Sequence, residues 1–407
     1  MGLRNREEAK LLPSYGRKRI MILAETYREL SNFFRDTEGE LSAKNMDRRE
    51  FMYRRGLQEN RKIMEIRLKE MAQRMEELAE ESLSYSAPNP RKVRTLKNGL
   101  AKHGILLKDI FLIRKKSDMQ FVLTMRGQRN ADYTAEDIAV ILTEMFGMPL
   151  VSAKENLFFI AYEYDTYLFE YKGRYEFETG LATATKENEV ISGDNSLIYD
   201  ITGSRRVCIL SDGAGSGEEA CRDSERALDL LEKYMDVGFS LAEAADMVNS
   251  IFVSQGRDIN MPTLDACHVN LIEGRVSFSK YGACDSFIKR GDRLERIGNG
   301  GYPLGFRLNN NWDTEPGDLY EKLCIRGSSD CEYELGEDDY VLMFSDGVLE
   351  CFGDEKALLK AFTSTDAKTP SKMANYLMQC AIRRCGGHIR DDMTILIGKL
   401  NACCECT

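Results

Sequence analysis

Four acidic positions in the second half of the chain each stand beside a strongly apolar run. Asp212 follows "VCILS" and Asp346 follows "YVLMFS", whereas Asp391 directly precedes "DMTILIGKL"; Asp194 lies in "VISGDNS", just after an apolar start. Runs this apolar predict central β-strands, and the ends of such strands can converge on one edge of a sheet. The sequence therefore predicts a β-rich unit that gathers carboxylates at one rim.

A rim of this kind has an electrostatic consequence. Two carboxylates about 4 Å apart repel by about 4 kcal/mol at an effective dielectric constant near 20, so three or four of them take up protons or require a cation. Oxygen ligands suit Mg²⁺ or Mn²⁺, and with three histidines in the chain a His-based zinc site is not expected. Two such ions can share a bridging water, lower its pKa and aim it at phosphorus. Asp212 would bridge them, while Gly213 lets the backbone approach closely enough for its carbonyl to bind.

The loop "SDGAGSGEEA" at 211–220 also admits other interpretations. A lone "SDG" is usually a turn, and "DD" before a strand is commonly a solvated cap. A phosphate cradle is disfavoured, because the loop lacks both the Lys-Ser/Thr ending of a nucleotide P-loop and the glycine spacing of a dinucleotide fingerprint. The ordered combination of acidic positions is more specific than any one of them.

The chain divides into four segments by pattern. Residues 1–87 read as helical, and 88–174 as a small module with α-β-β-α-β-β order, in which "LFFIAYEY" and "TYLFEYKG" are the last two strands and a capped helix begins at Thr134. Residues 175–400 are strand-rich with helices at 217–236, 241–254 and 370–385, and 401–407 form a Cys-rich tail. The pattern predicts an α+β protein.

Apolar residues in the first segment recur at three- and four-residue spacing, which predicts one apolar stripe on each of two helices. The stripe residues are Ile20, Leu23, Tyr27, Leu30 and Phe34 in the first helix, and Met64, Leu68, Met71, Met75 and Leu78 in the second. The stripes can pack on each other, on the rest of the chain or on a second copy, which leaves a homodimer or a signal-transmitting helix as alternatives to simple intrachain packing.

Bulk composition excludes several classes of protein. The net charge of −10 gives no basic surface for nucleic acid or anionic lipid, and no run approaches the roughly 18 apolar residues of a membrane span. The twelve cysteines are scattered, often inside apolar runs, as expected of reduced buried thiols; Cys403, Cys404 and Cys406 lie in the tail. We therefore expect a cytoplasmic protein without a transmembrane segment.

Seven motifs in this chain, in their order, resemble the stage II sporulation protein E family, a bacterial branch of the metal-dependent, type 2C-like (PPM) serine/threonine phosphatases. They are "ISGDN", "SDGAGSGEEA", "TLDACHVNL", "YGACDSFIKRGDRL", "PLGF", "FSDGVLE" and "DDMTILI". The resemblance implies a catalytic β-sandwich of two antiparallel sheets flanked by helices, preceded by the small α+β module and the N-terminal helices. It also implies two divalent cations, Mn²⁺ or Mg²⁺, at one edge, and hydrolysis of a phosphoserine or phosphothreonine by attack of a water bridging the two ions.

The resemblance assigns roles residue by residue. Asp212 matches the aspartate that bridges both metals, and Gly213 the residue that lends a carbonyl; Asp346 and Asp391 match ligands of the second metal. Asp194 matches the acidic residue of "SGD", a direct or water-mediated ligand, and is grouped with Asp212 as catalytic. We expect Asp392, Gly215 and Gly217 to be neighbours of the metals, while Thr263, Leu264 and Asp265 match a motif expected to be structural.

The sequence departs from the family pattern at two positions: "GDN" stands for "GDSY", and Ala214 for Met. By analogy the substrate is a small anti-sigma-factor antagonist in a partner-switching or sporulation pathway. A catalytically silent phosphoprotein-binding scaffold with the same fold is the alternative function; an ATP-using kinase or nucleotide switch is disfavoured by the loop.

Overall fold

The structure is a computed structural model that describes residues 20–32, 35, 48–81, 85–86, 89–115, 118–128, 132–236, 238–255, 261–298, 301–306, 332–365 and 367–403. Among these residues the helices are α1 (20–32), α2 (Arg48–Glu81), α3 (Pro90–Lys102), α4 (Ala135–Phe146), α5 (Glu218–Asp236), α6 (Leu241–Gln255), α7 (Asp346–Phe352), α8 (Glu355–Thr363) and α9 (Pro370–Arg384). The strands are β1 (Tyr85–Ser86), β2 (Ile105–Lys115), β3 (Asp118–Gly127), β4 (Leu150–Ser152), β5 (Asp165–Tyr171), β6 (Tyr175–Ala184), β7 (Asp194–Thr202), β8 (Arg205–Asp212), β9 (Leu264–Asn270), β10 (Arg275–Tyr281), β11 (Ser286–Arg290), β12 (Arg293–Ile297), β13 (Glu332–Glu334), β14 (Tyr340–Phe344) and β15 (Met393–Ala402).

The small module between α3 and β5 has one antiparallel sheet, ordered β1-β2-β3-β5-β4, with α3 and α4 packed against it. The helix predicted to begin at Thr134 does so, with a capping box in which Thr134 and Asp137 satisfy each other's backbone N–H groups.

The prediction that "LFFIAYEY" forms a strand is wrong. Residues 157–164 make one isolated bridge at Phe159, and the missing strand is instead β4. Burial explains the error, because Leu157, Phe158 and Phe159 are all exposed.

Two five-stranded antiparallel sheets lie in the segment from β6 to β15, which confirms the predicted sandwich flanked by helices. Their orders are β13-β10-β9-β8-β7 and β12-β11-β14-β15-β6. Apolar side chains from both sheets form a shared core, which includes Cys208 and Leu210 from one and Val341 and Leu396 from the other. The outer face of the first sheet packs against α5 and α6, and that of the second against α7, α8 and α9. The layers are therefore helix, sheet, sheet, helix.

The module contacts the sandwich at the far end of the β7–β8 hairpin. The Gly203 amide, in the hairpin turn, donates to Glu170 at 2.9 Å, and the Gly173 amide donates to the Gly203 carbonyl at 3.2 Å. Lys154 of the module lies 2.9 Å from Asp236 at the end of α5. These contacts join the module to the strands and helix whose other ends carry the acidic rim.

Helices α1 and α2 pack within the chain, but not through the predicted stripes alone. Ala24 is fully buried in α1, whereas Leu23 and Leu30 are exposed, and Met64 is exposed in α2. The rest of the α2 stripe, Leu68, Met71, Met75 and Leu78, is half-buried, and Phe34 lies outside the described residues. The predicted face is thus turned partly to solvent. Helix α2 reaches α6 both through Met71 of the stripe, which packs against the core that includes α6, and through Arg67 outside the stripe.

The cysteines only partly follow the expectation of free thiols. Cys208 and Cys267 are buried and free, as predicted, but Cys351 and Cys385 form a disulfide. Cys403 is buried just after β15, while Cys324, Cys404 and Cys406 fall outside the described residues. In the part of the chain that the structure describes, no helix combines the length and the apolar character needed to cross a membrane.

Candidate functional site: a carboxylate rim at the open edge of the sandwich

Strand register places Asp194 directly opposite Asp212. Asp194 is the first residue of β7 and Asp212 the last of β8, and the two are Cα partners in the antiparallel ladder. Like charges in such a cross-strand pair are destabilising, so the pairing is a local cost that the surrounding fold sustains. Strand β8 is central in its sheet, as predicted, whereas β7 is an edge strand, which the apolar pattern around Asp194 did not indicate.

Both carboxyl groups of this pair sit in an environment that disfavours their ionised form. Burial raises the pKa of Asp212 far above its ordinary value, and the charges of Asp194, Asp346 and Asp391 raise it further. Burial also raises the pKa of Asp194, partly opposed by the Thr394 and Ser345 hydroxyls. In strict hydrogen-bond geometry, however, neither carboxylate oxygen of Asp194 nor the Thr394 hydroxyl has a partner among the described residues, so the nearby hydroxyls lower the Asp194 pKa without satisfying its oxygens. A buried acid with two unsatisfied oxygens is costly unless something binds there.

The second sheet brings its acidic residues to the same rim. Strand β14 ends at Phe344 two residues before Asp346, and the antiparallel β15 begins one residue after Asp392. The α7 helix, which starts at Asp346, lies against the beginning of β15: a Cβ on Gly347 would lie 2.5 Å from the Asp392 carbonyl oxygen. The structure thus brings Asp194, Asp212, Asp346 and Asp391 to one end of the sandwich.

Asp392 has a different role from Asp391. Its two carboxylate oxygens accept the backbone N–H groups of Lys186, at 2.9 Å, and Gly193, at 2.7 Å. Asp392 therefore ties the segment between β6 and β7 to β15 and holds Asp194 in place. The Asp391 side chain is half-exposed, and the Lys186 ammonium lies 3.7 Å from its Oδ1. No sequence pattern pointed to Lys186.

The glycines of the loop after β8 let α5 pack closely against the loop and let the backbone turn. A Cβ on Gly213 would lie 2.2 Å from the Ala220 carbonyl oxygen, so α5 packs against the loop only if this position has no side chain. Gly215 and Gly217 have φ of 98° and 83°, in the left-handed region that glycine adopts without strain. The loop returns into α5 within a few residues of Asp212.

A small cavity of about 130 Å³ opens beside the rim, between the two sheets. Asp212, Thr263, Asp265, Cys284 and Asp346 are among its lining residues. Asp265 is buried and paired with the fully buried Lys280 at 2.7 Å, while its Oδ1 has no hydrogen-bond partner among the residues described. The expectation that the "TLD" motif is structural agrees with this ion pair.

The donor chemistry of the rim fits a hard divalent cation. Four carboxylates and the Gly213 carbonyl are oxygen donors, and the unpartnered oxygens of buried Asp194 are what a cation would satisfy. Among the described residues, however, no three His, Cys, Asp or Glu side chains stand close enough together to hold a metal by themselves. A bound cation would therefore draw on small movements of the exposed Asp346 and the half-exposed Asp391 side chains, with water as further ligands.

Comparisons with known proteins were made for both sequence and fold. Residues 202–401 match the family model of stage II sporulation protein E. The stage II sporulation protein E of Priestia megaterium is 28% identical over 267 residues, which cover 65% of this chain and 43% of that protein. Its counterpart in Bacillus subtilis strain 168 is 29% identical over 236 residues, 56% of this chain and 26% of that protein. The chain therefore aligns with less than half the length of either relative.

The fold agrees with a solved structure of the PP2C phosphatase domain and a fragment of the regulatory domain of the cell fate determinant SpoIIE from Bacillus subtilis. The superposition covers 89% of this chain and 100% of that one, with a TM-score of 0.60 and 21% identity, and it shows that the two share a fold. Residues 202–401, just under half of the chain, thus resemble stage II sporulation protein E in sequence, and the chain has the fold of its PP2C (type 2C-like) phosphatase domain.

Proposed function

We propose that this chain is a metal-dependent phosphatase that hydrolyses phosphoserine or phosphothreonine on a protein. The observation that carries the proposal is the pair of buried Asp194 and half-buried Asp212, directly opposed in the sheet. The oxygens of Asp194 are unsatisfied among the described residues, and Asp346 and Asp391 lie near enough to raise the pKa of Asp212. A fold gains nothing from this pair unless it binds cations. The similarity of residues 202–401 to stage II sporulation protein E, and the fold shared with its PP2C phosphatase domain, support the same reaction.

The chain's own residues would divide the work as follows. Asp212, with the Gly213 carbonyl, and Asp194 would hold cations from the first sheet, and Asp346 and Asp391 from the second. When bound, two Mn²⁺ or Mg²⁺ ions would supply the polarisation of the phosphoryl oxygens and the acidification of a water molecule that hydrolysis requires. Asp392 would keep Asp194 oriented through the Gly193 amide.

The substrate is proposed more finely as a small anti-sigma-factor antagonist, by analogy with the sporulation relatives. The net charge of −10 argues against nucleic acid as a partner, and dimer formation through the N-terminal helices remains part of the proposal rather than a feature of the structure.

The first prediction concerns Asp212→Asn. We expect Mn²⁺-dependent hydrolysis of p-nitrophenyl phosphate and of a phosphoserine protein to fall at least about a hundredfold, because the amide supplies less charge to the cations. The matched control is Asp200→Asn, at the exposed far end of β7, where Asp200 pairs with Arg206. Activity that survives Asp212→Asn, or that chelation leaves unchanged, contradicts the mechanism.

A catalytically silent phosphoprotein-binding domain is the second candidate, favoured by the absence of a preassembled three-carboxylate cluster in the described residues. Titration with Mn²⁺ distinguishes this candidate function from the phosphatase. A silent domain would bind a phosphorylated protein equally well with and without Mn²⁺, and would release no phosphate.

A further inference from the structure

The ladder between β8 and β9 changes its bonding at Asp212. The regular register runs to the pair Leu210 and Asp265. Two residues further along each strand, the Thr263 amide donates to the Asp212 carbonyl at 2.8 Å, as a regular pair would. The Asp212 amide, however, donates to the Thr263 hydroxyl at 3.1 Å, and the Thr263 carbonyl accepts the Ser211 hydroxyl at 2.7 Å. Two side-chain hydroxyls thus stand where a regular antiparallel pair has its second backbone bond.

Thr263 consequently holds both backbone polar groups of Asp212. Its amide fixes the carbonyl and its hydroxyl fixes the N–H, so the peptide groups on either side of the Asp212 Cα are held by one residue. The next residue, Gly213, is anchored on the opposite side by a 3.2 Å bond from its amide to the Gly193 carbonyl. The direction of the Asp212 side chain and of the Gly213 carbonyl follows from these few bonds.

The hydrogen bonds from Thr263 act at the end of β8, where the two carboxyl groups of the site lie opposite each other. Asp194 and Asp212 face one another across the β7–β8 pair, and the end of a strand is the part of a sheet that moves most easily. Thr263, Asp212 and Asp346 line the same small cavity, so the hydroxyl lies at the wall of the candidate metal site.

We propose that Thr263 is a positioning residue of the metal site, which holds Asp212 and the Gly213 carbonyl in the orientation that cations bind. The inference rests on the proposed function, because it assigns Thr263 a task at that site. Loss of the hydroxyl leaves the Asp212 N–H without its partner and lets the Asp212 side chain turn away from the orientation that cations bind. The metal-free fold keeps the remainder of the ladder.

The test is Thr263→Val, which preserves the volume and removes the hydroxyl. Mn²⁺ binding to metal-free full-length protein is measured by titration calorimetry and by electron paramagnetic resonance of free Mn²⁺, neither of which depends on activity. We expect the dissociation constant for Mn²⁺ to rise about tenfold, the scale of one lost hydrogen bond of about 1.4 kcal/mol. Thr263→Ser, which keeps the hydroxyl, should restore binding to within about twofold.

The matched control is Thr143→Val. The Thr143 hydroxyl also accepts a backbone N–H, from Leu150 at 2.9 Å, but it lies in the small module. This variant should lower the melting temperature in EDTA without moving the Mn²⁺ dissociation constant. A melting shift alone is therefore no sign of positioning.

Each outcome decides. If Thr263→Val melts lower but binds Mn²⁺ as the wild type does, Thr263 is structural and the inference is wrong. If the wild type itself binds no Mn²⁺, the proposed function fails first, which is a separable result. Should Thr263→Val not fold, Ser211→Ala removes the hydroxyl held by the Thr263 carbonyl; unchanged Mn²⁺ affinity in that variant overturns the proposal equally.

Discussion

Asp194 illustrates at the scale of one residue how a site is kept at the expense of stability. It is buried and faces another carboxyl group in the ladder, and neither of its oxygens has a hydrogen-bond partner in the part of the chain that the structure describes. Its immediate neighbour Asn195 is satisfied, since its side-chain amide donates to Ser224 at 2.8 Å. Strand β7 therefore provides a hydrogen-bond partner for the polar side chain of Asn195, although it provides none for that of the adjacent Asp194.

We accordingly expect Asp194→Asn to stabilise the metal-free protein while weakening Mn²⁺ binding. Burial raises the pKa of Asp194 in the fold, so the folded state holds its proton at pH values where the unfolded chain has lost it, and the wild type loses stability as pH rises from the ordinary value of 3.8 through the raised one. Asparagine removes that loss. The gain in free energy of unfolding should be roughly 1–3 kcal/mol at pH 8 and smaller near pH 4, measured by urea unfolding in EDTA.

A gain of equal size at both pH values would show that repulsion and desolvation of the charged form are not its source. Asp200→Asn, which removes an exposed carboxylate paired with Arg206, is the control, and it should not stabilise the metal-free protein at either pH.

At the scale of elements, the disulfide connects two segments that each lead to the acidic rim. Cys351 lies in α7, whose first residue is Asp346, and Cys385 follows α9 in the connection that leads to Asp391. Arg384 reinforces this junction by donating to the Cys351 carbonyl at 3.1 Å and to the Phe352 carbonyl at 3.0 Å. Spacing in the sequence gave no reason to pair these two of the twelve cysteines.

Reduction with dithiothreitol should therefore lower the free energy of unfolding. The bridge closes a loop of sequence separation 34, for which chain-entropy arguments give about 3–4 kcal/mol. The measurement is urea unfolding with and without reductant, with Cys351→Ser as the genetic equivalent. If reductant has no effect on the wild type and Cys351→Ser unfolds at the same urea concentration, the bond does not form in solution.

The largest scale concerns how the N-terminal helices are attached. Arg67 of α2 is buried and donates to the Ser250 hydroxyl, at 2.8 Å, and to the Asp246 carbonyl, at 2.8 Å, both on α6. Asp246 also accepts a 2.5 Å hydrogen bond from the Tyr281 hydroxyl of β10. A polar contact thus links α2 through α6 to the first sheet, although the apolar stripe was the predicted means of attachment.

Arg67→Ala should release α2 from α6 without unfolding the sandwich. Losing charged hydrogen bonds to buried partners costs about 2 kcal/mol, or roughly a thirtyfold loss of amide protection along α2 by hydrogen exchange. Lys62→Ala, which removes a surface pair with Glu65 on the same helix, is the control and should leave protection unchanged. Unaltered exchange in Arg67→Ala would mean that apolar packing alone holds α2.

Much of this molecule could be predicted from local patterns. Apolar runs identified β8, β14 and β15, the Thr134 cap located α4, and the order of the acidic motifs indicated the PPM fold, because period, caps and turn residues are properties of neighbouring residues. The strand predicted at residues 157–164 does not form, because its aromatic side chains lie largely on the surface instead of in a sheet.

Contacts between distant segments were decided only by the tertiary structure. The pairing of Asp194 with Asp212, the replacement of a ladder bond by the Thr263 hydroxyl, the Cys351–Cys385 bridge and the docking of Arg67 each join residues whose local sequences say nothing of one another. The sequence by itself determined which residue types were at hand and where strands and helices could form. Register and packing then determined which oxygens face each other, since these depend on how distant segments of the chain pack together.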